Sequence, residues 1–229
     1  MILNIENWSP PEMASPDQIN NYPVDARGAD WRNKDIGTLD LKNANLCRTD
    51  LRGANLKCCL LGNTDMRLAK YDNTTVLPDG FNIRTSGAIG PGAQLNGAFL
   101  NNADLRGIDL RKASLMGAYL SGADLSGALL DNISLAGADL RHAILRGAMC
   151  RGTRFGTSEL KMADLRGADL TEANLDTLES IQGSDFSMCK GMDPYIQTLL
   201  ERPAIELDHW NPLTRSTTRA SLESLSLEA

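Results

Sequence analysis

AQLNG-AFLNN-ADLRG-IDLRK-ASLMG-AYLSG-ADLSG-ALLDN-ISLAG-ADLRH-AILRG-AMCRG-TRFGT-SELKM-ADLRG-ADLTE-ANLDT, residues 93–177, is one pattern copied every five residues without a change of phase. Fifteen of its seventeen units carry Leu at the centre; the exceptions are Cys150 and Phe155. Two positions earlier the residue is Ala in thirteen units and Ile108, Ile133, Thr153 or Ser158 in the rest. A period of five fits neither a helix face nor a half-buried strand. It fits a chain that turns a corner every five residues, with the central residue and the small one before it inside. The three remaining side chains point out. Gly recurs at the last position, as at Gly97, Gly107 and Gly117, where the corner needs backbone freedom. Each unit then buries its apolar side only against its neighbours, which is the logic of a solenoid. Leu95, Leu100, Leu105, Leu110, Leu115, Leu120, Leu125, Leu135, Leu140, Phe155, Leu165 and Leu170 are the expected core.

The pattern works outward from there. ADWRN to AKYDN, residues 29–73, follows the same rule more loosely, with Lys34 and Leu39 standing where a small residue belongs. Those two predict a distorted or capped end. LPDGFNIRTSGAIGPG, residues 77–92, breaks the phase with two Pro and four Gly and reads as a loop bulging from one coil. The organisation expected is an N-terminal cap over 1–23, containing Trp8 and Tyr22, and repeats over 24–186. A C-terminal helix and polar tail follow over 187–229. Asp193 and Pro194 have the chemistry of an N-cap and first helical residue, and Ile196, Leu199 and Leu200 form a stripe behind them. The last stretch, HWNPLTRSTTRASLESLSLEA, reads as extended or mobile.

These units strongly resemble the pentapeptide-repeat family. The segment around YDNTTVLPDGFN and the tail NPLTRSTTRASL are similar to cyanobacterial and plastid members. The resemblance implies an all-β, right-handed quadrilateral parallel β-helix, four units to a coil, with a short C-terminal capping α-helix. It also implies a non-enzymatic scaffold or regulator that presents rigid faces to another protein. Some members mimic DNA toward DNA gyrase, which sets the alternative function. Net charge is −6, but residues 24–186 hold 20 acidic and 19 basic side chains, so the repeats lack the continuous negative stripe a phosphate groove selects.

Four units per coil stack residues twenty apart. Phe99 and Tyr119 then point outward one above the other, with Met116 on the neighbouring, nearly uncharged face and Leu129 above Met149 on another. These five are the candidate partner-binding surface, with an inert aromatic ladder as the competing reading. The two His lack neighbours for triad or metal chemistry, and the five Cys show no metal-like spacing. No catalytic residue, metal, cofactor or small-molecule substrate is expected. A nucleic-acid face is not expected either, since aromatics do not interleave with a basic stripe. The opening MILNIENWSPPEM reads as no signal peptide, and no apolar run is long enough to span a membrane. The expectation is a cytoplasmic protein, a monomer or an end-to-end dimer.

Overall fold

The computed structural model describes residues 23–226. The chain divides into two compact units, 1–93 and 94–229. The expected N-terminal cap, with Trp8 and Tyr22, lies outside the described residues.

The first unit is a run of parallel bridges rather than of long strands. Asp25, Asp30, Asp35 and Asp40 pair with Asn45, Asp50, Asn55 and Leu60, each twenty residues on. Side chains at the unit centres, from Trp31 through Leu41, Leu46, Leu51 and Leu56 to Met66, are buried. Two expectations change here. Lys34 and Leu39 do not distort the ladder: Asp35 and Asp40 keep their rungs, and both larger side chains sit half-buried at the corners. Nor is 77–92 an added bulge. The chain leaves the ladder after Val76, which pairs with Asn55, and re-enters at Ile89, which pairs with Lys70. Those two residues are thirteen apart, fewer than the fifteen that three regular units take. The segment therefore replaces repeats, turning through a short 3-10 helix at Ile83–Thr85 with Ile83 tucked inside.

The second unit is more regular. Gln94, Phe99, Asp104 and Asp109 start columns that step through Ser114, Tyr119, Asp124 and Leu129 and onward by twenties. The register grows to twenty-one at Glu159–Ser180, because one extra residue enters after Leu178: Glu179 N donates to Ser158 O while Ser180 O accepts from Leu160 N, so two residues share that rung. The hydrogen-bond rule is constant. The central residue donates to the following coil, as Leu100 N does to Tyr119 O at 2.8 Å. The outward residue before it donates back, as Tyr119 N does to Ala98 O at 2.9 Å. Thus each coil reads its two neighbours in opposite directions. The pattern is a right-handed β-helix solenoid.

Corners place one residue at positive φ, which explains the Gly and Asn there. At Gly122 (φ 69) a Cβ would strike the Asn102 side chain one coil earlier, so a larger residue there must displace that side chain. Where the small inward residue carries a hydroxyl, it ties coils together. Thr49 Oγ1 donates to Ala26 O at 2.8 Å, Thr153 Oγ1 to Leu130 O at 2.7 Å and Ser184 Oγ to Leu160 O at 2.6 Å. Ser158 occupies the same kind of position, fully buried, and its hydroxyl has no hydrogen-bond partner.

Beyond the last coil, the chain forms α1 (Ile196–Leu200), α2 (Ala204–Leu207), a hairpin of β1 (Trp210–Asn211) and β2 (Ser216–Thr217), and α3 (Thr218–Ser226). Helix α1 begins after Tyr195, without a side-chain cap, and not at Asp193–Pro194 as the sequence suggested. The stretch read as extended or mobile is ordered through Ser226: Leu222 and Leu225 of α3 are buried, and α3 packs on α1.

Candidate functional site

The five candidate residues fall into two patches. Phe99 and Tyr119 share a column and stack, ring centroids 4.8 Å apart and planes 10° from parallel. Both are exposed, at 74% and 44%, and Met116, 51% exposed, lies on the same coil as Tyr119 across one corner. Asn96 fixes that corner: its Oδ1 accepts from Met116 N at 2.9 Å and from Ser114 Oγ at 2.6 Å. Leu129 and Met149 pair in a different column, ten residues on from Tyr119 and hence half a coil away. They are half-buried, so the structure does not bring them to the aromatic pair. The twelve residues expected in the core are all buried.

The aromatic column ends in charge. Its next rungs are Asp139 and Glu159, and Arg141 binds both, at 2.7 and 3.4 Å. On the other side of Met116, Gln94, Ser114 and Ser134 form a neutral stretch of column that meets charge at Arg154. The patch is therefore apolar, flanked by neutral hydrogen-bonding groups on one side and a closed ion-pair cluster on the other.

In eight units the charges neutralise locally. In Asp25–Arg27, Asp30–Arg32, Asp50–Arg52, Asp65–Arg67, Asp104–Arg106, Asp109–Arg111, Asp139–Arg141 and Asp164–Arg166, the two residues flank the inward centre and form an ion pair. The aspartate also accepts the arginine's own backbone N–H, as Asp30 Oδ1 does from Arg32 N at 3.1 Å. The bonded Arg32 guanidinium holds Asp30 down to about 2, and Arg67 acts on Asp65 in the same direction. Where both partners are exposed, as in Asp25–Arg27 and Asp30–Arg32, the pair contributes little to stability; Asp164, by contrast, is buried.

Three of the five thiols, Cys59, Cys150 and Cys189, are buried. Burial pushes Cys59 up to about 11 and Cys189 up to about 12, and raises Cys150 further. His142 sits exposed at a corner and His209 is exposed beside Trp210. Among the described residues no group of three His, Cys, Asp or Glu side chains could hold a metal ion, and no helix is long and apolar enough to cross a membrane.

Sequence reasoning missed a second exposed apolar set: Ile205, Trp210 and Leu213. Asn211, buried, pins their hairpin by donating to Gly183 O at 2.8 Å. Nothing in a five-residue period signals this contact.

A family model described as pentapeptide repeats matches the chain in eight copies, over residues 39–69, 92–127, 123–161 and 150–176. No curated protein sequence matches. Among solved structures, the chain is similar to a pentapeptide repeat protein from the thylakoid lumen of Arabidopsis thaliana. That likeness has 29% identity over 58% of this chain and 89% of that one, with a TM-score of 0.52. It also resembles HetL, a pentapeptide repeat protein involved in heterocyst differentiation regulation in the cyanobacterium Nostoc sp. (22% identity, 73% and 85% covered, TM-score 0.31). A third is QnrB1, a plasmid-mediated fluoroquinolone resistance protein (12% identity, 73% and 81% covered, TM-score 0.36).

Proposed function

The chain belongs to the pentapeptide-repeat family, and on that premise we propose that it is a non-enzymatic scaffold that binds another protein through Phe99, Tyr119 and Met116. The observation that carries this reading is the exposed stack. Two aromatic rings already ordered against one another lose little entropy on binding, and an adjoining Met adapts to the partner's shape. A ladder serving stability alone would gain most from rings shielded by neighbours, whereas Phe99 is largely open to solvent.

The architecture that goes with this reading is a quadrilateral coil, supported by the twenty-residue register and a corner every five residues. On this reading residues 24–186 are the repeats and 187–226 a C-terminal cap, supported by its side-chain bonds to the last coil. Cytoplasmic residence is supported by five free cysteines, all unpaired. The lumenal relative makes cell fractionation the direct check on it. Mimicry of DNA toward gyrase is disfavoured by the eight self-neutralising Asp–Arg units.

The test is capture from a lysate of the source organism with the wild-type chain and with Phe99→Glu/Tyr119→Glu, followed by mass spectrometry. A protein retained by the wild type and lost by a folded double variant supports the scaffold. Gyrase subunits retained by both would replace this reading with DNA mimicry. A double variant that no longer folds would show that these rings serve the coil itself.

A further inference from the structure

Asp79–Gly80 and Asn96–Gly97 are the chain's one Asp–Gly and one Asn–Gly pair. Both dipeptides are chemically labile. The glycine nitrogen, unhindered by a side chain on its own Cα, can attack Cγ of the preceding residue. A nitrogen–Cγ bond forms and a succinimide ring closes, releasing water from Asp or ammonia from Asn. Water then opens the ring at either carbonyl. One product is ordinary Asp; in the other, isoaspartate, the main chain runs through Cγ and gains a carbon. An ionised carboxylate is a poor electrophile, so in an unfolded chain Asn–Gly reacts before Asp–Gly.

The fold puts the two pairs in matched turns. Phe81 N donates to Pro78 O at 3.1 Å across Asp79–Gly80, and Ala98 N donates to Leu95 O at 3.1 Å across Asn96–Gly97. The glycines share a left-handed backbone, with φ of 78° and 64°. All four residues are exposed, and a Cβ added at either glycine would meet nothing within 4 Å beyond its chain neighbours. Access and backbone shape therefore do not rank the two pairs. Hydrogen bonding does. Gly97 N, the nucleophile, donates to Met116 O at 2.9 Å. Asn96 Oδ1, on the carbon to be attacked, accepts from Met116 N at 2.9 Å and from Ser114 Oγ at 2.6 Å. Ring closure consumes the Gly97 N–H and re-aims Cγ, so it gives up all three bonds. Among the described residues, neither the Gly80 N–H nor the Asp79 carboxylate has a hydrogen-bond partner. Both lie between the rungs at Val76 and Ile89, where the ladder is interrupted.

We propose that the fold reverses the intrinsic order: Asp79–Gly80 is the chain's site of isoaspartate formation, and Asn96–Gly97 is withheld from reaction while its coil is folded. The placement limits the damage. An extra main-chain carbon at Asp79 falls in a segment that carries no rung. At Asn96 it would fall between the rungs Gln94–Ser114 and Phe99–Tyr119 and break the five-residue spacing that stacks the aromatic pair.

The experiment ages the folded full chain beside its Asp79→Asn variant, which places identical Asn–Gly chemistry in both turns. Peptide mapping by mass spectrometry reads amide loss, and labelling with an isoaspartyl methyltransferase reads the isoaspartate. In the variant, position 79 should deamidate about 100-fold faster than Asn96, the factor expected for three net hydrogen bonds. In urea the two should react alike. Wild type aged in mildly acidic buffer, where carboxyls are partly protonated, should accumulate isoaspartate at position 79 while Asn96 stays an amide. Ser114→Ala removes one donor to Asn96 and should raise its conversion and Gly97 amide exchange together, about 2- to 10-fold. Equal rates at the two turns of the folded Asp79→Asn variant would overturn the withholding of Asn96. Aged wild type with no isoaspartate at position 79 would overturn the site.

Discussion

Thr153 and Ser158 offer a matched test of what holds the coils together. Both are inward residues at neighbouring corners, both are fully buried, and both carry a hydroxyl where most units have Ala. Thr153 spends its proton on Leu130 O at 2.7 Å, one coil back; Ser158 has no partner. Thr153→Val keeps the shape and deletes the bond. Leu130 O retains the N–H of Ile133 at 3.3 Å, so the carbonyl is not stranded and the loss is that of one net hydrogen bond, about 0.5–1.5 kcal/mol. Ser158→Ala removes a buried hydroxyl that gave up water for nothing, which stabilises by about 1–3 kcal/mol before the lost oxygen's packing is counted. The two substitutions should therefore move the urea midpoint in opposite directions at unchanged slope. Finding Thr153→Val as stabilising as Ser158→Ala would refute the hydroxyl tie. Finding both destabilising would mean that Ser158 has a partner, such as a buried water.

Three further outcomes are expected. Gly127→Ala should cost about 1–2 kcal/mol for its left-handed backbone alone, because φ is 63° and nothing lies within 4 Å. Gly122→Ala should cost more, and Asn102→Ala should recover the excess in a thermal-melt cycle. Near neutral pH a maleimide should label exposed Cys58 first, while Cys59 and Cys189, held near 11 and 12 by burial, stay protonated and shielded until the coils unfold. Mass spectrometry before and after denaturation reads this directly. Asp30 is held down to about 2 in the folded state, against about 3.9 unfolded, so its ion pair contributes above that unfolded value and fades as pH falls toward 2. Carboxyl NMR should place its midpoint well below that of an ordinary aspartate, and a midpoint near 4 would mean the Arg32 bond does not form in solution.

The coils were legible because their determinants are local: a central Leu, a small partner, and a corner residue that tolerates positive φ all sit within five positions. The spacing of Phe99 and Tyr119 likewise follows from counting, since twenty residues make one turn. What escaped has determinants that are distant. Ser221 meets Phe186 thirty-five residues back and Thr218 meets Ile181 thirty-seven back. No periodic rule links them, and Leu222 and Leu225 alone look too sparse for a buried helix. The 77–88 stretch misled for another reason. Its Pro and Gly announce irregularity but not length, and only the rungs at Val76 and Ile89 show that residues were replaced rather than added.

The Asp–x–Arg unit also bears on how such a chain can lengthen. Because each pair closes within three residues, copying a unit of this kind adds a cassette of zero net charge, and no self-repulsion accumulates with size. Phase is the only constraint. A duplication of four units returns every downstream side chain to its own column, whereas a gain or loss of one unit shifts every downstream side chain into a neighbouring column. Such a chain is free to change length by whole turns outside the interval from Phe99 to Tyr119 without moving any residue out of its column.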